Sequence, residues 1–435
     1  MMRGRGLRPG LFALVAAGMI SLPLARLASA EEASDVAKTL AAQNSLLSVA
    51  QEGSDDGGAG EGGSSYWQDH FQLHGFLTTA YAELDPENNA QPRSSDERVL
   101  GLDPDGTWNY RIAALQLRYD PAAKHTFVVQ LSHRHFDDSP LGDVDNDVEL
   151  DWAFYQYRFT DNFAIKVGRV PVPVGIFNEF RDVGTLLPFF RPAYTFYQEG
   201  SFVSETIDGV IFVTNLWPES DWSVDFDAYY GEFDLLESVA ANTTNVFEAK
   251  ATDAVGAQLW LNTPVSGLRF GAGIQRYDVE GSGFHTEKDT WNTWHASVDG
   301  AFERFTIRGE YKYFEIPSNN SFLFNGEIQA ANYYVQAGFN ITEQLGIWAQ
   351  REYSDIDQTN TNLVGTESFN NRQDTGYSIV WALRPTIVFK AEYHQTNFDL
   401  PVGFNVVPTP GGVLLDFVFQ EFKSDYSIAS VSFSF

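Results

Sequence analysis

Apolar and polar residues alternate one by one along many stretches of this chain. In Phe305–Tyr313, the most regular of these stretches, the even positions are Thr306, Arg308, Glu310 and Lys312 and the odd positions are mainly aromatic or aliphatic. Successive side chains of a strand point to opposite faces, so this pattern predicts a strand with one apolar and one polar face. Charged residues need partners in an apolar core. The polar face is therefore expected to line a wet interior.

We count sixteen such stretches, joined alternately by short turns and long polar connections. The long connections are Asp85–Thr107, Asp137–Asp147, Pro171–Glu205, Phe233–Thr252, Asp278–Thr290, Glu315–Glu327, Ser354–Thr375 and Phe398–Ser424. An even strand number with short turns at one end and long loops at the other is typical of bacterial outer-membrane barrels. The sequence therefore predicts an all-β fold over residues 66–435, a transmembrane antiparallel β-barrel of about 16 strands.

The first thirty residues have the pattern of an export signal. Arg3, Arg5 and Arg8 precede the apolar run Leu11–Leu24, and Ala28–Ala30 offers small residues for cleavage after Ala30. An uncleaved anchor helix is the alternative, which the shortness of the run disfavours. Residues 31–65 then combine a weak helical pattern with a Gly/Ser/Asp-rich linker, to be interpreted as a short periplasmic helix or as a disordered leader.

Composition narrows the classes of partner. The chain has no cysteine, 58 acidic against 28 basic residues and a net charge of -30. Without disulfides, the fold depends on its backbone ladder and packing. The acidic balance disfavours nucleic acid as a partner and favours cations, including the divalent ions that bridge lipopolysaccharide.

The segment Val148–Gly175 and its continuation to Gly184 resemble a stretch of Gram-negative porins. They are similar to proteobacterial porin-like proteins that are distantly akin to the phosphate-selective porin group. The resemblance implies an outer-membrane channel, a third loop folded inward and a homotrimer. Phe435 is similar to the terminal aromatic residue that the outer-membrane assembly machinery reads. Phosphate-selective members use many basic pore residues, so the acidic balance of this chain argues against phosphate selectivity.

By position, the inward loop that the resemblance implies is Pro171–Glu205. Four prolines limit its freedom, while Gly175 and Gly184 permit bends. The charged candidates for a pore constriction are Glu179, Arg181, Asp182 and Arg191. The alternative is that these charges lie in water or pair with one another.

Strand parity also selects charged residues for the wall of the pore. The candidates are Arg118, Arg134, Lys166, Asp225, Asp227, Arg308, Glu310, Lys312, Lys390 and Glu392. Opposite charges across a narrow lumen would create a transverse field that orients polar solutes. Plain solvation in a wide pore is the alternative for each position.

Asp143, Asp145 and Asp147 form an acidic run that could wrap a calcium ion weakly. The spacing of an EF-hand loop is missing, so a solvated loop is the competing interpretation. No cofactor is expected beyond structural calcium or magnesium on such acidic loops. The chain contains no hydrolase, metalloprotease or phosphate-loop motif, and we expect no enzymatic activity.

These observations favour passive diffusion of small hydrophilic solutes and ions, with a weak cation preference. One alternative is a substrate-specific channel with a solute site at the third loop. The other is a plugged structural or adhesive barrel. Membrane lipid and lipopolysaccharide are the expected surroundings.

Overall fold

The computed structural model describes residues 70–86, 94–139, 145–197, 205–237, 247–280, 288–318, 326–360, 366–409 and 412–435. The predicted export signal and the segment 31–65 lie outside these ranges. The strands are β1 Phe71–Pro86, β2 Thr107–Ala122, β3 His125–Phe136, β4 Asp145–Thr160, β5 Phe163–Pro171, β6 Thr206–Leu216, β7 Ser223–Glu237, β8 Phe247–Asn262, β9 Leu268–Glu280, β10 Asp289–Ala301, β11 Phe305–Ser318, β12 Gly326–Asn340, β13 Leu345–Asn360, β14 Thr366–Arg384, β15 Ile387–Thr409 and β16 Gly412–Ser434. Short helices occupy Ser95–Val99 (α1), Asn178–Phe180 (a 3₁₀ turn) and Tyr194–Tyr197 (α2).

Every strand pairs antiparallel with its neighbours in the chain, and β1 closes the barrel by pairing with β16. The register places Thr78 opposite Ser432 and Tyr81 opposite Ala429. A closed antiparallel barrel has no open sheet edge. The predicted fold, including the count of sixteen strands, is confirmed.

The two faces of the wall differ as the alternation predicts. Outward side chains are exposed and largely apolar, as at Leu73, Phe212, Ile274 and Val335. Inward side chains include many polar groups, among them Gln130, Gln258 and Asn332, and these are buried. Among the described residues, no helix is long and apolar enough to cross a membrane.

The strands β15 and β16 are longer than the sequence predicted. The connection Phe398–Ser424 was expected to be a long loop, but both strands continue through it and pair with each other as far as Thr409 and Gly412. The last β14 partner of β15 is Phe398, and the last β1 partner of β16 is Ser424. Beyond these residues, the described part of the hairpin has pairing partners only within the hairpin.

An apolar cluster fills part of the interior at the end of the barrel that carries the long connections, here called the loop end. Inward residues of β1, β2, β3 and β16 pack there against the first long connection and one residue of the third. The members are Ala80, Ala82, Leu84, Val99, Leu100, Leu102, Tyr110, Ile112, Phe136, Phe190, Tyr426 and Ile428. This part of the interior is therefore not wet.

Candidate functional site

The third long connection folds into the barrel. We call its described part Val172–Tyr197 the inner segment. Nearly all of it is buried, including aromatic residues such as Phe177, Phe189 and Phe196. Some backbone groups of the inner segment bond to other backbone groups in turns, and the remaining buried groups need other partners. Wall residues supply many of them.

Glu310 of β11 is the acceptor at the centre of one such contact. Its Oε1 accepts hydrogen bonds from the backbone N–H of Ile176 at 3.0 Å and from Ser297 Oγ at 2.7 Å. Its Oε2 accepts from Tyr334 OH at 2.7 Å and from Tyr197 OH. We call Glu310, Ser297, Tyr334, Tyr197 and the Ile176 amide the locked cluster. Glu310 is only 3% exposed, and both of its oxygens are satisfied.

Gly175 makes this approach of the inner segment to Glu310 sterically feasible. Its φ is +65°, and a Cβ atom there would lie 2.7 Å from Glu310 Oε1 and 2.7 Å from Tyr197 OH. A side chain would therefore be strained and would also collide with the locked cluster. The bend predicted at this glycine is where the backbone reaches the wall.

Other wall charges bind the backbone of the inner segment in the same manner. Lys390 Nζ donates to the carbonyl oxygens of Gly184 at 3.1 Å and Phe189 at 2.8 Å. Lys312 Nζ donates to the carbonyl oxygen of Phe196. Parity placed both lysines on a wet wall; they do face inward, but the inner segment covers them.

Charges of the inner segment itself form a second buried network. Asp182 Oδ2 accepts from Arg134 of β3 at 2.7 Å, and Arg191 also binds its carboxylate. Arg134 further contacts Glu205 at 2.7 Å, and Glu205 lies 3.3 Å from Arg181. Burial alone would raise the pKa of Asp182, but Arg134, Arg191 and Arg181 outweigh it and hold the pKa well below its usual range. Burial lowers the pKa of Arg191 to about 10 despite the attraction of Asp182.

A third group of charges has a different character. Lys166 Nζ lies 4.0 Å from Glu179 Oε1, and both charges act electrostatically on Asp227. None of these three side chains makes a hydrogen bond with another described residue. We call Lys166, Glu179 and Asp227 the open cluster.

The open cluster borders the part of the interior that retains access to water. On the inner segment, Glu179, Phe180, Val183 and Leu186 are partly exposed. On the wall, the partly exposed inward charges are Arg118, Arg158, Asp225, Asp227, Arg269 and Arg308. The part of the interior that water reaches, here called the passage, therefore lies beside residues 179–186 and is lined by charges of both signs.

Ion pairs fix several charges of this passage. Arg269 and Arg308 both contact Asp299, each at 2.9 Å. Arg118 pairs with Asp120 at 2.8 Å, and Asp225 accepts from Asn262 at 2.9 Å.

The predicted constriction residues separate into two groups. The structure brings Arg181, Asp182 and Arg191 together in a buried network, whereas Glu179 faces the passage. Among the predicted wall residues, Arg134, Lys166, Glu310, Lys312, Lys390 and Glu392 are buried rather than plainly solvated. Their roles in transport remain predictions. Sequence reasoning missed Tyr197, Tyr334 and Ser297, although Tyr334 and Ser297 lie at inward positions of predicted strands.

The predicted calcium loop lies mostly beyond what the structure describes. Asp143 falls in the undescribed range, the side chain of Asp145 is not described, and Asp147 is exposed. In the described part of the chain, no group of three or more side chains could hold a metal ion.

Comparison with solved structures finds the same architecture at low sequence identity. The outer membrane channel DcaP of Acinetobacter baumannii is 11% identical, with a TM-score of 0.53 over 84% of this chain and 97% of that one. Salmonella typhi OmpF in complex with daunomycin is 12% identical, with a TM-score of 0.52 over the same shares. No model of a known protein family matches the chain, and no curated protein matches it in sequence. The chain thus shares the closed barrel fold of DcaP and OmpF.

Proposed function

We propose that this protein is an outer-membrane channel for passive diffusion of small hydrophilic solutes and ions, with a weak preference for cations. The observation that carries the proposal is the closed sixteen-strand barrel with an apolar outward face and a charged, partly exposed passage inside. An apolar outer face suits lipid, and a closed barrel leaves no backbone group unsatisfied there. The barrel fold of the DcaP channel supports the same proposal.

Aromatic residues on the outward face support the membrane setting. Exposed rings flank several short turns at the end of the barrel opposite the loop end: Phe159, Trp217, Trp222, Phe302, Phe305 and Phe339. Such rings favour the boundary between lipid and water. We place this end in the periplasm, where Phe435 would serve the assembly machinery and the export signal would have been removed. A homotrimer and contact with lipopolysaccharide belong to the same proposal.

The cation preference follows from the charge balance. The chain carries a net charge of -30, and the open cluster adds two carboxylates against one ammonium beside the passage. The acidic balance of the chain raises the local concentration of cations around the channel and lowers that of anions.

Planar-bilayer recording of the purified full-length protein tests the proposal. We expect discrete conductance steps. In a potassium chloride gradient, the reversal potential should have the sign of a cation-selective pore. The absence of steps would favour a barrel plugged by its inner segment. Steps with anion selectivity would support the channel proposal and contradict the proposed cation preference.

A further inference from the structure

The ammonium of Lys166 has no hydrogen-bond acceptor among the described residues. The residue is only 5% exposed, which is the share left open at the passage. Yet its ammonium donates no hydrogen bond to a described residue, and its ion pair with Glu179 is long at 4.0 Å. A ring face of Phe154 lies 5.7 Å away and offers a weak contact with the cation. The ammonium borders the passage, so its three donors are open to water or to a solute that carries acceptors.

The two carboxylates beside Lys166 also lack hydrogen-bond partners among the described residues. Glu179 is about one-third exposed, and Asp227 is partly exposed at the same passage. Neither accepts a hydrogen bond from another described residue, although Lys166 acts on both. The locked cluster differs, since Glu310 accepts four hydrogen bonds from its surroundings. Free donors and free acceptors therefore lie side by side in the open cluster.

This arrangement discriminates between classes of solute. A simple anion attracted to Lys166 would be repelled by Glu179 and Asp227, and a simple cation attracted to the two carboxylates would leave the donors of Lys166 without an acceptor. A molecule that carries a carboxylate and an ammonium a few bonds apart can satisfy both signs of charge at once. Charge-assisted hydrogen bonds of this kind are stronger than bonds between neutral groups.

We propose that the open cluster binds small zwitterions of the amino acid class as they pass, with the solute carboxylate on Lys166 and the solute ammonium between Glu179 and Asp227. This inference rests on the proposed channel function. It assigns the substrate-selective step to the β5 and β7 side of the lumen. The buried arginine network around Asp182 has no part in it, because its carboxylates are already paired.

Liposome swelling with the full-length protein tests the inference. Glycine is the zwitterionic probe, and glycolamide is a neutral probe of comparable size. We expect glycine to enter about two- to fivefold faster than glycolamide, the range expected from a charge pair that is partly screened by water. The variants Lys166→Met and Glu179→Gln should each remove this preference. Lys124→Met, which deletes an exposed lysine on the turn between β2 and β3, should preserve it.

The outcomes separate this inference from the channel proposal. Equal entry of both probes through the unmodified protein would overturn the zwitterion site while leaving the channel intact. So would a glycine preference that survives Lys166→Met. If neither probe enters, the channel proposal fails and the site fails with it. Lys166 makes no hydrogen bond, so the methionine variant is expected to fold, and swelling by glycolamide confirms its insertion.

Discussion

The locked cluster and the open cluster both combine residues of the wall with residues of the inner segment, but they differ in their hydrogen bonding. Glu310 has hydroxyl and amide donors around both oxygens, so its charge is buried without loss of hydrogen bonds. Lys166, Glu179 and Asp227 have charge but no hydrogen-bond partner among the described residues. Burial alone would not separate Lys166 from Glu310, since both residues are at most 5% exposed. The hydrogen bonds distinguish a charge that holds the segment from a charge whose hydrogen-bonding groups face the passage.

Removing the acceptor of the locked cluster should have the largest effect. Glu310→Leu leaves the Ile176 amide and three hydroxyl groups without an acceptor, and each unsatisfied buried donor costs about 1–3 kcal/mol. We expect the free energy of unfolding in urea to fall by about 3 kcal/mol or more. Release of the inner segment should also increase the single-channel conductance.

A matched control lies on the other face of the same strand. Glu315 is partly exposed and accepts one bond from Tyr313 OH at 3.2 Å. Glu315→Leu should change the free energy of unfolding by less than about 1 kcal/mol and leave the conductance unchanged. A Glu310→Leu protein with unaltered stability and conductance would show that the segment is held by other contacts.

The second prediction concerns the effect of low pH on the buried network around Asp182. Arginines hold the pKa of Asp182 below its value in the unfolded chain, so the ionised carboxylate stabilises the folded state at neutral pH. That contribution is lost as the pH falls below about 4, the usual carboxyl pKa. Asp182→Asn should lower the free energy of unfolding by about 1–3 kcal/mol at pH 7 and less at pH 3.

Urea unfolding at both pH values measures this difference. Asp161→Asn, on an exposed turn, serves as the control and should reproduce the pH dependence of the unmodified protein. An Asp182→Asn protein with that same dependence would place the acid-sensitive group elsewhere.

The smallest effect on stability is expected in the open cluster. Lys166→Met removes a charge with no hydrogen bond, so the free energy of unfolding should change by less than about 1 kcal/mol. The reversal potential should nevertheless move further toward cations, because the one ammonium of the cluster is lost. Lys124→Met carries the same change in net charge outside the lumen and should leave the reversal potential unmoved. A large loss of stability in Lys166→Met would contradict the distinction between the two clusters.

The wall of the barrel could be predicted because its signal is local. A period of two survives in single strands, and turn lengths alternate in the sequence itself. The hairpin extension of β15 and β16 was not predicted, because Phe398–Ser424 was interpreted as a long polar connection. That segment contains Pro401 and Pro408, which lack the N–H that a strand donates to its neighbour. Both prolines lie beyond the last β14 partner, where one edge of β15 is free and a missing N–H is tolerated.

The interior could be predicted only in part. The strand alternation correctly predicted that Glu310 and Lys390 face inward. It does not predict which residues cover them. The bond between Ile176 and Glu310 joins residues 134 positions apart, and that between Lys390 and Gly184 joins residues 206 apart. Contacts of this separation depend on the path of the inner segment, which has no periodicity of its own to read.

The seam between β1 and β16 sets the order of events in assembly. Thr78 Oγ1 donates to Ser432 Oγ across 354 positions of the chain, and the backbone groups of Gly75 and Phe435 bond to each other at 3.0 and 3.1 Å. Since β1 gains its second neighbour only when β16 pairs with it, a sheet without β16 would have two unpaired edges. Pairing at such separation is intrinsically slow. The barrel can therefore close only after the last strand has formed, and this closure is expected to be a slow step of folding.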